Sequence, residues 1–119
     1  MTAPIFVDTN ILVYALDAGA RQKQVRAREW MAMAWQSGRG RLSVQVLEEF
    51  YVTLTRKLRP GLPPDRAREE VRALVPWQPI EKGPAMLESA WRLQDRFQLS
   101  WWDAAIVAAA KATRSRYLL

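Results

Sequence analysis

Residues 5–10 read IFVDTN: the apolar Ile5, Phe6 and Val7 run straight into Asp8, Thr9 and Asn10. A short, fully apolar run bounded by polar residues is the pattern of a strand buried on both faces. The chain then turns apolar again at Ile11, Leu12 and Val13, which predicts a helix over Ile11–Leu16 with Asn10 or Thr9 as its cap. A buried strand that ends on a carboxylate has two readings. Asp8 can cap the helix that follows, the commoner role for an acid in this hexapeptide. In a parallel α/β sheet it can also project into the crevice beyond the carboxyl ends of the strands, where ligands bind.

Working outward, the spacing of apolar residues predicts a helix over Arg21–Ser37, with Trp30, Met33, Ala34 and Val25 facing inward and Gly38 as its stop. Gly40–Leu42 reads as a short strand. Ser43 is placed to cap a helix over Val44–Leu58, with Leu47, Phe50, Tyr51, Leu54 and Leu58 as its apolar stripe. Pro60, Gly61, Pro63 and Pro64 mark a loop, followed by an amphipathic helix over Asp65–Val75 with Ala67, Val71, Leu74 and Val75 on one side. Trp77–Ile80 reads as a strand that Pro79 confines to an edge. Pro84 suits the first turn of a helix to Phe97, with Leu87, Ala90, Trp91 and Leu93 inward. Ser100 opens an alanine-rich helix over Trp101–Thr113, apolar almost all round, as for a helix packed on both sides. Tyr117–Leu119 begins a last strand. Short apolar strands alternating with helices predict an α/β fold with a parallel sheet, in one domain over residues 1–119.

Composition removes much chemistry. The 119 residues contain no cysteine and no histidine. Disulfides, thiolate chemistry, zinc sites built on Cys or His, and Ser-His-Asp catalysis are therefore excluded. The lack of cysteine is in keeping with a cytoplasmic location. No apolar run reaches the length of a membrane span. Any metal must be held by oxygen, which points to Mg²⁺ or Mn²⁺. The net charge is +6, from 18 basic and 12 acidic residues, a balance that suits nucleic acid or an acidic protein partner.

Against that basic background, three places carry acids of interest. Asp8 follows the first strand. Asp103 stands in Ser100-Trp101-Trp102-Asp103, an S-x-x-D pattern in which the acid bonds back to the cap residue's amide. Near a helix N-terminus a negative charge is also stabilised. Glu48 and Glu49 flank the apolar stripe of the Ser43-capped helix on opposite sides, and periodicity does not choose between them. Carboxylates gathered without cations repel one another. A divalent metal relieves that repulsion and generates hydroxide from bound water. A basic body around an acidic pocket suits a polyanion such as RNA.

Three segments, in order and at matching intervals, resemble the PIN domain family and within it the VapC-like toxins of bacterial toxin–antitoxin pairs. They are Phe6-Val7-Asp8-Thr9-Asn10-Ile11-Leu12-Val13-Tyr14, Leu42-Ser43-Val44-Gln45-Val46-Leu47-Glu48-Glu49-Phe50-Tyr51, and Leu99-Ser100-Trp101-Trp102-Asp103 with the apolar run to Ala110. The resemblance implies a three-layer α/β/α sandwich with a central parallel sheet and an Mg²⁺- or Mn²⁺-dependent ribonuclease activity. By position it implies Asp8, Glu49 and Asp103 as catalytic acids. Asp8 and Asp103 would be metal ligands, and Thr9, Asn10 and Ser100 supporting neighbours. Its implied partners are RNA, a cognate antitoxin and a second copy of the chain. Arg39 and Arg41, in the glycine-flanked Gly38-Arg39-Gly40-Arg41, are the candidates for holding the RNA backbone. The family normally carries a fourth acid after the strand that Arg116–Leu119 would begin, with a further strand or helix. The sequence stops at Leu119, so three acids are expected here.

Overall fold

The computed structural model describes residues 3–119. Strand β1 (Ile5–Phe6) lies at the centre of a three-stranded parallel sheet, between β2 (Gly40–Arg41) and β3 (Tyr117–Leu118). Ile5 pairs with Gly40 and Tyr117, and Phe6 with Arg41 and Leu118. Ile5, Phe6 and Val7 are buried, as a central strand covered on both faces requires. The edge beyond β2 gains one further parallel rung, where Val44 N donates to the Ile80 carbonyl and Ile80 N to the Leu42 carbonyl. The strand expected over Trp77–Ile80 thus shrinks to this single bridge. Pro76 sits in a 3₁₀ turn over Val75–Trp77 that replaces the rest.

The described residues also form six α-helices: α1 (Thr9–Tyr14), α2 (Arg21–Gln36), α3 (Val44–Val52), α4 (Pro64–Arg72), α5 (Pro84–Phe97) and α6 (Trp101–Ala112). The chain is thus a helix-rich α/β fold around a small parallel sheet. Among the described residues, no helix is long and apolar enough to cross a membrane.

Several boundaries differ from expectation, each for a local reason. The cap of α1 is Asp8, not Thr9 or Asn10: its extended backbone lets its carboxylate accept from Thr9 N at 2.7 Å, and the helix starts two residues early. Helix α2 buries Gln24, Ala27 and Ala34, with Met31 packed on the main core. Val25 is exposed and Trp30 and Met33 only half-buried, so large residues did not mark its inner face. Gln24 can be buried because its amide donates to the Ala15 carbonyl, which also accepts from Arg28. Helix α4 ends at Arg72, leaving Val75 exposed. Trp91 of α5 is also largely exposed.

Gly38 ends α2 as expected, at a positive φ of 70°. Gly40 is required for another reason: Trp77 lies where its Cβ would stand, and Trp77 in turn stacks on Trp35 at 5.6 Å.

The main core joins the sheet to α1, α3, α4 and α6 through Phe6, Leu12, Leu42, Val46, Phe50, Leu54, Ala67 and Ile106. A second, smaller cluster holds α5 to α6 through Ala90, Ala104 and Ala108, ringed by Met86, Leu93, Leu99 and Trp101. Helix α6 belongs to both and is buried on two sides, as its alanine run predicts.

Candidate active site: an acidic cleft at the carboxyl edge of the sheet

A cleft of about 750 Å³ opens where the sheet's carboxyl edge meets the starts of α1 and α6 and one face of α3. Three acids and two lysines line it: Asp8, Glu48, Glu49, Lys57 and Lys82. Thr9, Asn10, Gln45, Thr53 and Trp102 complete much of its wall.

Asp8 reaches the cleft because β1 ends at Phe6 and the backbone stays extended until the helix starts. Capping and facing the cleft are therefore not alternatives. One oxygen, Oδ1, accepts from Thr9 N, and the residue still lines the opening. Burial pushes the Asp8 carboxyl above its ordinary value, and the charges of Glu49 and Asp103 push it the same way, against the hydrogen bonds from Thr9. Of the three acids singled out in the sequence, Asp8 and Glu49 line the cleft, while Asp103 does not line it and acts on Asp8 through its charge.

Glu49 is the better held of the two adjacent glutamates. Its Oε2 accepts from the Thr9 hydroxyl at 2.9 Å and its Oε1 from the Gln45 amide at 3.2 Å. Thr9 and Gln45 are both buried, and no buried side-chain N or O among the described residues lacks a partner. Their burial is tolerable because Glu49 satisfies them. Glu48 is exposed, on the lip between this cleft and an apolar groove against α4.

Gln45, Glu49, Thr53 and Lys57 recur every four residues and all line the cleft. In a straight α-helix such a row drifts steadily around the axis, because four residues exceed one turn. After Val52 the helix widens into a π turn over Thr53–Lys57, closed by Leu58 N donating to the Thr53 carbonyl at 2.8 Å. The wider turn reverses part of the drift and returns Lys57 to the cleft.

Asp103 occupies the first turn of α6. The Ser100 hydroxyl accepts from Asp103 N at 3.1 Å, so the expected cap forms. The reciprocal bond from the carboxylate to the Ser100 amide is absent among the described hydrogen bonds, and Asp103 is exposed. Its carboxylate is not committed to the cap. Asn10 is exposed at the cleft wall. The expected pair of neighbours around Asp8 therefore divides: Thr9 ties Asp8 to Glu49, and Asn10 stays open.

Arg39 and Arg41 stand elsewhere. Arg39 Nε donates to the Ala3 carbonyl, and Arg41 Nη1 to the Gly38 and Gly40 carbonyls. Both guanidiniums secure backbone near the start of β2, at the opposite end from the cleft, and neither lines it. The cations at the cleft are Lys57 and Lys82, which sequence reasoning missed. Lys82 could have been found, since it follows Ile80 at the carboxyl end of a strand. Gln45 left a weaker signal, as an amide inside the apolar run Val44–Leu47.

Every anionic donor at the cleft is a carboxylate oxygen, a set that suits a hard divalent cation. Among the described residues, no three acids stand close enough together to grip one ion. Mg²⁺ needs only one or two carboxylates and keeps several waters, so Asp8 with Glu49 or Asp103 meets that demand. Burial raises Asp8 first, and the charges of Glu49 and Asp103 add to it; that added repulsion is what a cation would relieve.

Polar residues at the carboxyl edge of a small parallel sheet, framed by helices, stand where open α/β sheets bind their ligands. The PIN domain family model matches residues 5–118, and the chain belongs to that family. PIN domains are generally nucleases, and typically use a divalent metal. The chain has no match among curated proteins.

Proposed function

We propose that the chain is a metal-dependent endoribonuclease of the VapC-like toxin type, hydrolysing RNA phosphodiester bonds in the cleft lined by Asp8 and Glu49, with Asp103 beside it. The observation that carries this is geometric: Asp8 and Glu49 line one cleft at the carboxyl edge of the sheet and are joined through Thr9, whose amide donates to Asp8 and whose hydroxyl donates to Glu49, in a protein of net charge +6. Asp8 and Asp103 are the residues that would hold Mg²⁺ or Mn²⁺. Such an ion, when bound, supplies an activated water and a counter-charge for the phosphate.

The protein's own groups do the rest. Glu49 Oε accepts the proton of the attacking water, and the Thr9 hydroxyl and Gln45 amide hold that carboxylate in one orientation. Lys57 and Lys82 bind the phosphates on either side, replacing Arg39 and Arg41 in that role. Within the same proposal the helices form a layer on each face of the sheet, in a single domain over residues 1–119. The chain acts in the cytoplasm, with a cognate antitoxin and a second copy of itself as partners. Asp8, Glu49 and Asp103 suffice for one ion, since Mg²⁺ needs few carboxylates and keeps several waters.

A second function, binding without cutting, is favoured by one specific observation: no three acids among the described residues are gathered tightly enough to grip a metal. One experiment separates the two. The purified chain is incubated with unstructured RNA and Mg²⁺ or Mn²⁺, beside Asp8→Ala. Internal cleavage by the parent and background by the variant is the expected result. Cleavage that survives the substitution rejects the assigned cleft. A folded parent that cuts nothing leaves the binding module.

A further inference from the structure

Three of the six tryptophans gather at one side of the cleft. Trp102 lines it and is 61% exposed, although it directly precedes Asp103. The Lys82 ammonium lies 5.9 Å from the centre of the Trp102 ring and 5.4 Å from that of Trp101. Trp101 is followed at 6.5 Å by Trp91, itself 46% exposed. The order Trp102, Lys82, Trp101, Trp91 thus runs from the acids outward along the α5–α6 hairpin.

The exposure of Trp102 and Trp91 is not needed by the fold. The buried α5–α6 contact is made by Ala90, Ala104 and Ala108, with Met86, Leu93, Leu99 and the half-buried Trp101 packed against them, and neither Trp91 nor Trp102 belongs to it. The other exposed tryptophan, Trp35, has a structural task that Trp102 lacks: it covers Trp77, which covers Gly40.

We propose that this row is a track for the unpaired bases of an RNA strand, with Trp102 stacking the nucleobase beside the scissile phosphate. The proposal rests on the ribonuclease function above and names its substrate form: single-stranded RNA, bound by its bases as well as its backbone. Exposed aromatic faces leading out of a cleft, with cations between them, are the surface that sequence-tolerant single-strand binders use. Lys82 serves both components. Its exposed cation–π contacts are weak and readily exchanged for a phosphate that arrives with the stacked base. A duplex cannot use the track, because its bases are already stacked inside the helix. Trp102 then acts on binding and register, while Asp8, Glu49 and Asp103 act on the bond. The rival occupant of a tryptophan–lysine surface is an acidic protein segment.

The test measures binding apart from cleavage. Fluorescence anisotropy of an end-labelled, unstructured RNA is followed in EDTA for the full chain, Trp102→Ala, Trp102→Phe and Lys82→Gln. The same strand is tested as a duplex and with a single abasic site moved along it. The expected result is a loss of roughly tenfold or more for Trp102→Ala and recovery by Trp102→Phe. The duplex should bind more weakly. One abasic position should weaken the parent and leave Trp102→Ala unaffected. Single-strand binding unchanged in Trp102→Ala, or no preferred abasic position, overturns the track and leaves the nuclease function standing. A parent that binds no RNA overturns both and assigns the surface to a protein. Trp102-dependent binding by a chain that cuts nothing with Mg²⁺ or Mn²⁺ keeps the track and removes the nuclease.

Discussion

Asp8 and Asp103 carry the same charge in opposite surroundings: Asp8 lines the cleft, and Asp103 stands next to its wall residue Trp102 without lining it. Asp8 is half-buried, hydrogen-bonded to the start of α1, and linked through Thr9 to Glu49 and Gln45. Asp103 is exposed on the first turn of α6, beside an exposed tryptophan and a lysine. The floor of the cleft rests on the main core of large aliphatic and aromatic side chains. Its rim rests on a helix hairpin packed through alanines. A floor held by buried hydrogen bonds keeps a carboxylate in one place. An exposed rim can adjust to a strand that differs in sequence. The proposed division of labour follows: chemistry at the floor, substrate grip at the rim.

The largest effect expected is at the floor. Glu49→Ala should lower the cleavage rate about 10²–10⁴-fold, the range for removing a positioned general base, with RNA binding in EDTA little changed. Trp102→Ala should show the reverse pattern, a binding loss that excess RNA restores. A cleavage defect in Glu49→Ala that excess RNA also restores would erase the distinction.

Stability should separate the two halves as well. Phe50 is 2% exposed in the main core, and Phe50→Ala should cost about 3–5 kcal/mol. Ala108 is 1% exposed between α5 and α6, where removing volume is not the risk. Ala108→Leu should cost about 1–3 kcal/mol by forcing the helices apart. Urea unfolding measures both. The second variant should also weaken RNA binding, because it shifts the turn that carries Trp102 and Asp103. If its binding is normal, the hairpin does not set the rim.

Thr9→Val tests the connection within the floor. It keeps the side chain's shape and removes the hydroxyl that donates to Glu49 Oε2. Cleavage should fall about tenfold, as for one hydrogen bond to a charged group. Restoration by Thr9→Ser, which returns the hydroxyl, would tie the loss to that bond rather than to packing.

The same contrast decides what was legible in the sequence. IFVDTN encodes its structure locally: a buried strand, an extended acid and a helix start within six residues. Ser43 and Ser100 likewise announced the helices they cap, and the apolar stripe through Leu47, Phe50 and Leu54 is buried. The choice of Glu49 over Glu48 came from resemblance, since both line the cleft and only the hydrogen bonds from Thr9 and Gln45, invisible in the sequence, set Glu49 apart. The rim was not legible. Lys82 meets Trp101 and Trp102 only because the segment after Ile80 closes over the start of α6. Arg39 and Arg41 misled for a related reason: two charges between glycines look free for a ligand, and backbone carbonyls claim both. Helix α2 misled through size, because its tight contact is made by Ala27 and Ala34 while Val25 faces solvent.

The smallest effect concerns the cost of holding Asp8 where it is. Its folded pKa lies above the ordinary 3.8, through burial first and then Glu49 and Asp103. The native state therefore binds more protons than the unfolded chain above that value, and stability falls as pH rises through the window between 3.8 and the raised folded value. Asn keeps an oxygen to cap α1 and removes the charge. Without divalent cations, Asp8→Asn should raise Tm relative to the parent at neutral pH, with the difference shrinking as the pH drops toward and below 3.8. Added Mg²⁺ or Mn²⁺ should narrow the gap from the other side, by stabilising the parent and leaving the Asn variant nearly unmoved. Thermal melts across pH, with and without the ion, measure both trends. A variant less stable than the parent at neutral pH would mean that the hydrogen bonds from Thr9 more than offset burial and repulsion. The floor would then hold its charge without strain, and the case for a cation there would lose its electrostatic motive.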